Sequence, residues 1–277
     1  MDVSGVSEAG APLARAYGAV NWVGLRTLCA REIGRFMKVS MQTVFAPVVS
    51  TVLFMVVFTL AFGQRNSLGG DFAGVAFADF LAPGLIMMAI LNNAFQNTSS
   101  SIIVAKIQGN HVDFLMPPLS PLELTVGFLT GALVRGLVVA LVSAAVIAVT
   151  GLADLSVRHV GALLWFALTA SVMLGAIGAV GGIWAEKFDH LAAVTNFVIL
   201  PLTFLSGTFY DIGVLSEPFR TLSHWNPFFF LIDGFRYGFI GVANSDVMLG
   251  AVVTGVLALG LSVWVWWLLR SGYKLKA

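Results

Sequence analysis

"PLELTVGFLTGALVRGLVVALVSAAVIAV", residues 121–149, decides the class of this protein. Its charges are Glu123 at the start and Arg135 near the middle. A helix needs ~20 apolar residues to cross a bilayer core, and this run exceeds that. Comparable runs lie at about 43–62, 80–103, 159–184, 189–209 and 247–269. The whole chain is 58% hydrophobic and 10% charged, against roughly 25% charged in ordinary globular chains. A soluble fold must cover its surface with polar groups, and there are too few here. The expected fold is an all-α membrane protein with six transmembrane helices.

Loop charges orient the spans. Arg15, Arg26, Arg31, Arg35, Lys38, Lys106, Lys187, Arg270, Lys274 and Lys276 fall on one side. Arg65, Arg158, Arg220 and Arg236 fall on the other. The positive-inside bias then puts both termini in the cytoplasm. The first 40 residues are basic and hold no apolar stretch ahead of a cleavage site, so the first run is read as an uncleaved span. A net charge of +1 gives no reason to expect nucleic acid as a partner. Cys29 is the single cysteine, which excludes an intrachain disulfide.

"NPFFFLIDGFRYGFIGV" (226–242) is apolar, but it is short and holds Asp233 and Arg236. Counting it as a span would also place the tail lysines outside. It is read as a re-entrant or surface helix on the outer side, with Asn226 as N-cap and Pro227 at the first helical position. Trp165 and Trp184 flank the fourth span, and Trp264, Trp266 and Trp267 cluster near the end of the sixth, as interface residues do. Gly178 and Gly182 form a small-xxx-small pair for close helix contact. Pro201 sits mid-span and should kink the fifth run, with Phe197, Phe204 and Phe209 nearby shaping an apolar path or simply packing.

The first unit, 1–42, is expected to be a cytoplasmic segment carrying an amphipathic interface helix, and 43–277 the membrane domain. In 17–38, Trp22, Leu25, Cys29, Ile33 and Phe36 share one face. Thr27, Arg31, Arg35 and Lys38 share the other. Glu32 falls inside the apolar arc. It either pairs with Arg35 at i+3 or bends to the headgroups, or it meets a protein docked under the membrane.

The sequence lacks a motor. It has no G-x-x-x-x-G-K-[ST] phosphate loop, no G-x-S-x-G and no H-E-x-x-H. The histidines at 111, 159, 190 and 224 sit singly, so no metal ligand spacing appears. Arg135 is the one ionisable group deep in a span, and it is a poor proton carrier. The pathway is therefore passive or driven by another polypeptide.

Polar residues within the membrane cluster in "NNAFQNTSSS" (92–101). Amides in lipid must face other helices or a wet cavity. Asn92, Asn93 and Gln96 lie at depths that a snorkelling Arg135 can reach, so a single buried polar cluster is expected. It serves either as glue between helices or as direct substrate contact.

"GNHVDFLMPPLSPLE" (109–123) joins two spans. Gly109-Asn110 is a helix stop. Val112 to Met116 allow one helical turn, and Pro117-Pro118 ends it. Ser120-Pro121-Leu122-Glu123 is a capping box that starts the third span. The apolar Phe114, Leu115 and Met116 either dock into a groove or dip into the lipid interface.

"AKIQGNHVDFLMPPLSPLELTVG" (105–127), "GGIWAEKFDHLAAVTNFVILPLTFLSGTFYDI" (181–212) and "LSHWNPFFFLIDGFRYGF" (222–239) resemble the ABC-2-type permeases of ABC transporters. The likeness covers nearly the whole chain after about residue 20. It is nearest the bacterial branch of nodulation-factor, polysaccharide and drug exporters. It implies a six-span inner-membrane subunit that works as a dimer with two separate ATPase subunits. ATP and Mg would be used by those subunits, and no cofactor would be bound by this chain, which would not itself be an enzyme. Residues 17–38, 110–118 and 213–241 match the family's interface helix, coupling helix and outer re-entrant helices. The resemblance assigns ATPase coupling to Asn110, Asp113, Phe114 and Leu115, with Glu32, Glu186 and Lys187 as further contacts. Asn92, Asn93, Gln96, Arg135, Pro201 and Phe204 are the candidates for the path or its polar cluster. A passive channel or an ATP-independent membrane scaffold is the alternative.

Overall fold

The computed structural model describes residues 20–62, 72–109 and 118–274, and every regular element among them is helical. An initial helix α1 (Trp22–Met37) precedes the long helices α2 (Met41–Phe62), α3 (Phe77–Ile107), α4 (Pro121–Thr150) and α5 (Val160–Trp184). A shorter apolar helix α6 (Phe188–Phe204) follows. Two short helices, α7 (Phe219–Trp225) and α8 (Pro227–Ile240), lead to the last long helix α9 (Val247–Ser271). Five of these helices, α2, α3, α4, α5 and α9, are long and apolar enough to cross a membrane.

Helix boundaries follow local chemistry. The Ser120 hydroxyl accepts from Glu123 N at 3.3 Å, and Glu123 Oε2 accepts from Ser120 N at 2.6 Å. The expected capping box is thus complete, with Pro121 in the first turn. Helix α4 ends at Gly151 in the left-handed conformation, φ 65°. Helix α8 starts on Asn226, whose Oδ1 accepts from Phe228 N at 3.1 Å.

Helix α3 is the central element, packed against α4, α5 and α8 and buried along most of its length. Its contact with α5 depends on missing side chains. A Cβ at Gly178 would lie 2.3 Å from Phe95 O and 2.4 Å from Thr98 Oγ1. One at Gly182 would lie 2.9 Å from Ile102 Cβ. Because the backbones are so close, the Thr98 hydroxyl reaches across and donates to Gly175 O at 2.6 Å. Where lipid replaces water there is little hydrophobic drive between helices, so such close packing and hydrogen bonding hold them.

Two expectations change. Helix α1 turns inward on Leu28, Glu32 and Phe36, while Trp22 is exposed. The inward stripe is therefore centred on the glutamate, and Arg35 lies beside it instead of on an outer polar face. The reason is that α1 packs on α4, and α3 offers polar partners that an interface helix lying on lipid would lack. In α6 the disturbance caused by Pro201 appears as a π turn over Thr195–Ile199 just before it. Proline has no N–H for the residue four back, and its ring crowds that carbonyl, so the preceding turn widens.

Helix α8 is not a simple surface helix. At 1.5 Å per residue its 14 residues reach about 21 Å, short of a ~30 Å core. Asp233 and Arg236 within it are both buried.

Candidate functional site

The polar face of α3 lies between two cavities. One, of about 340 Å³, separates α3 from α2 and is lined by Ser50, Thr51 and Phe54 opposite Met88, Asn92 and Gln96. The other, of about 360 Å³, has a polar wall of Gln96, Ser99, Ser100 and Arg135 facing Leu191 and Ala192 of α6. Gln96 borders both and is exposed. Asn92, which lines the first cavity, donates Nδ2 to Met88 O at 3.0 Å.

Arg135 is brought together with the amides. Its Nε and Nη2 donate to Asn93 Oδ1 at 3.2 and 3.0 Å, and Nη2 reaches Gln96 Oε1 at 3.4 Å. Asn93 Nδ2 is turned away to Ala89 O at 2.9 Å, so its oxygen faces the guanidinium.

A second cluster lies closer to α1. Arg35 Nη1 donates to Ser100 Oγ at 3.0 Å, and Nη2 donates to Asn97 O at 2.6 Å and to Asn97 Oδ1 at 3.2 Å. Glu32 Oε2 stands 3.4 Å from Arg35 Nη2, and its Oε1 accepts from Ser101 Oγ at 2.8 Å. The Glu32 side chain is completely enclosed. It does not offer its carboxylate to a docked protein, as one reading of the sequence had it. Burial of a carboxylate is sustained here by an ion pair and a hydroxyl.

Aromatic rings join α2 to the turn after α6. Phe58 stacks on Phe209 with centroids 4.6 Å apart, and Phe204 lies 5.4 Å from Phe209. Phe204 is thus part of a contact that closes the space between α2 and α6. Pro201 is exposed, and it shapes α6 without entering the polar cluster.

The candidate coupling residues Asn110, Asp113, Phe114 and Leu115 lie outside the described residues. The elements beside them are tied together. Lys106, at the end of α3, donates to Ile183 O and Ala185 O, each at 2.7 Å. That ammonium caps the C-terminus of α5, where it also favours the helix dipole. Beyond it, Glu186 Oε1 accepts from Lys274 Nζ at 3.2 Å, and Lys187 is exposed as the N-cap residue of α6. Lys274 holds the Glu186 carboxyl below its ordinary range, first by hydrogen bonding and then by its charge.

The family model for ABC-2 type transporters matches residues 24–240. The chain belongs to the ABC-2 type transporter family. Among curated proteins it is 34% identical over 262 residues to the inner membrane transport permease YadH of Escherichia coli K12. The alignment takes in 92% of this chain and 98% of that protein. The Shigella flexneri permease of the same name matches equally.

The permease holds functional-looking polar residues that sequence reasoning did not assign. Asn97 and Ser101 complete the cluster of Glu32 and Arg35, whose i,i+3 pairing was one reading of the sequence. Only the helical spacing of Asn97 and Ser101 on α3 hinted at their part in it. At the opposite end, Arg236 Nη2 donates to Gly207 O at 2.8 Å and Nε to Phe80 O at 3.2 Å, with its guanidinium 3.8 Å from the Phe80 ring centre. Asp233 accepts from Asn244 N at 3.0 Å and from Ser245 N and Oγ at 2.9 and 2.7 Å. Two charges in an otherwise apolar stretch were the sequence's signal for this lock.

Proposed function

We propose that this chain is the membrane-spanning subunit of an ATP-driven exporter in the bacterial inner membrane. It works as a dimer with two separate ATPase subunits, and both termini are cytoplasmic. In this reading α6 and the turn after it form the fifth of six spans, and α7 and α8 are outer re-entrant helices. The observation that carries it is the polar face of α3: Gln96 is exposed and borders a cavity on each side. An amide left on a lipid-facing surface would be costly, so this face belongs to a second copy and to the path between copies.

The ties around the 110–118 loop support the coupling. Lys106 before the loop is fixed to the α5–α6 corner, and Glu123 after it is fixed to the start of α1. ATP-driven closure of the ATPases against the loop would then move α3, α4, α1 and that corner together. The aromatic contact of Phe58 with Phe209 and the Arg236 lock lie where that motion would have to open the path.

Co-purification of an ABC ATPase subunit with this chain from its native membrane tests the reading. A stoichiometric complex with transport-linked ATP hydrolysis is expected. Asp113→Arg and Phe114→Asp should uncouple hydrolysis from transport without loss of folded protein. Full coupled activity in both variants would remove the coupling assignment. Transport with no ATPase bound would favour a passive channel.

A further inference from the structure

Arg135 is a buried cation without an anionic partner among the described residues. Its residue is 5% exposed, and its only hydrogen-bond partners among the described residues are the neutral oxygens of Asn93 and Gln96. Glu32 is the only carboxylate in the adjoining cluster, and it is engaged by Arg35 and Ser101. Arg35 acts on Arg135 as a neighbouring positive charge. The two arginines and one glutamate leave a net positive charge at this depth, which is unfavourable unless something compensates it.

The geometry around Arg135 provides room for that compensation. Its Nη1 has no acceptor among the described residues, and it is not sealed in by protein. The guanidinium lines the cavity of about 360 Å³ between α3, α4 and α6, within the ~300–1,000 Å³ typical of small-molecule sites. Ser99 and Ser100 share that wall. The opposite side is Phe188, Leu191, Ala192 and Thr195, and it is largely apolar because the Thr195 hydroxyl donates to Leu191 O at 3.0 Å within its own helix. Such a site suits an anionic oxygen group on an apolar carrier. The fork of Arg matches phosphate or carboxylate oxygens, and alkyl chain fits the facing side.

We propose that Arg135 binds the phosphate or carboxylate group of an anionic amphiphile in this cavity. This names the substrate class for the path proposed above and rests on that reading. The anion stands where no protein carboxylate does, so the cavity discriminates against neutral and cationic amphiphiles.

The test uses the full-length chain in nanodiscs of zwitterionic lipid, titrated with dodecyl phosphate and followed by intrinsic tryptophan fluorescence. Saturable binding is expected, with no competition from dodecyl maltoside. Arg135→Gln should weaken it about 10- to 100-fold, as loss of a charge-assisted hydrogen bond does. Arg158→Gln, at an exposed arginine outside the cavity, should leave it unchanged. Ala192→Trp fills the apolar side from an exposed position and should also block binding, which keeps the test open if Arg135→Gln fails to fold. Inorganic phosphate alone distinguishes the sources. Binding as tight as that of dodecyl phosphate identifies a free anion as the ligand, and much weaker binding identifies the amphiphile. Dodecyl phosphate binding that survives both Arg135→Gln and Ala192→Trp, or equal binding of dodecyl maltoside, overturns the proposal. Loss of binding in a chain that still couples to its ATPase would leave the exporter reading intact. Binding in a chain with which no ATPase co-purifies from its native membrane would sink only the exporter reading.

Discussion

Glu123 holds Asn21. One carboxylate oxygen of Glu123 accepts the backbone N–H of Asn21, and the other accepts that of Ser120. Asn21 is the N-cap of α1 and Ser120 the N-cap of α4, so a single side chain fixes two helix starts against each other. Asn21 returns the contact by donating its side-chain amide to Pro118 O at 3.3 Å. Glu123→Ala removes both acceptors. Loss of a cap costs about 0.5–2 kcal/mol, and an orphaned buried donor about 1–3 kcal/mol more. The expected outcome is a loosened α1 on an otherwise intact bundle. Limited trypsin digestion at Arg26 and Arg31 should accelerate in the variant, and an unchanged digestion pattern would refute the staple.

The contact of α3 with α5 predicts a steep dependence on side-chain size at one glycine. At Gly178 even an alanine Cβ would sit 2.3 Å from a backbone oxygen, which cannot rotate away. Gly178→Ala should therefore lower the yield of folded protein, and Gly178→Leu should abolish it. Gly34 in α1 is the control, since nothing lies within 4 Å of its Cβ position. Gly34→Ala should be neutral or stabilising by up to about 1 kcal/mol, the helix-propensity difference. Fluorescence-detected size-exclusion profiles of the three variants compare them directly.

Much of this architecture was legible because membrane helices announce themselves by length and apolarity. The capping box at Ser120–Glu123 was legible for a similar reason, since its chemistry is local. The direction of α1 was not. Its periodicity drew the apolar arc through Trp22, Leu25, Cys29, Ile33 and Phe36, whereas the buried stripe runs through Leu28, Glu32 and Phe36, and a carboxylate there reads as a flaw until Ser101 and Arg35 are seen beside it. Gly178 and Gly182 were visible as a weak pattern, and only their proximity to Phe95 O and Ile102 gives it force. Arg135 and its amides were legible from helix depth alone. The link of Arg236 to Gly207 and Phe80 joins segments far apart in sequence, and no local spacing encodes it.

The corner between α5 and α6 should respond to acid. The Lys274 ammonium depresses the Glu186 carboxyl, so the folded value lies below the ordinary 4.5. A depressed carboxyl contributes above its unfolded value and loses that contribution as pH falls through the folded one. The pair is exposed, so its effect is small and falls with salt. Glu186→Gln should free Lys274 at neutral pH, and amine labelling of Lys274 should rise to the level of a solvated lysine. Labelling unchanged by the substitution would show that the carbonyl of Trp184, 3.3 Å from Nζ, holds the ammonium alone.

Arg236 is the most demanding of the buried groups. It is among the largest fully buried side chains, and it bridges the first turns of α3 at Phe80 to the Gly207 turn after α6. The planar guanidinium does this while lying over the Phe80 ring, and a lysine ammonium cannot reproduce that geometry. Arg236→Lys should cost about 1.5–3 kcal/mol through a lost charge-assisted hydrogen bond. Arg236→Met should cost more, on the order of 3–5 kcal/mol, because buried Asp233 and Asp211 lose their nearby positive charge. Thermal unfolding of the detergent-purified chain, followed by tryptophan fluorescence, should rank wild type above Arg236→Lys above Arg236→Met. Because Gly207 belongs to the turn carrying Phe209, the same substitutions should loosen the Phe58–Phe209 contact. A double-mutant cycle of Arg236→Lys with Phe58→Leu should then show non-additive losses of thermal stability, and strictly additive losses would separate the lock from the aromatic contact.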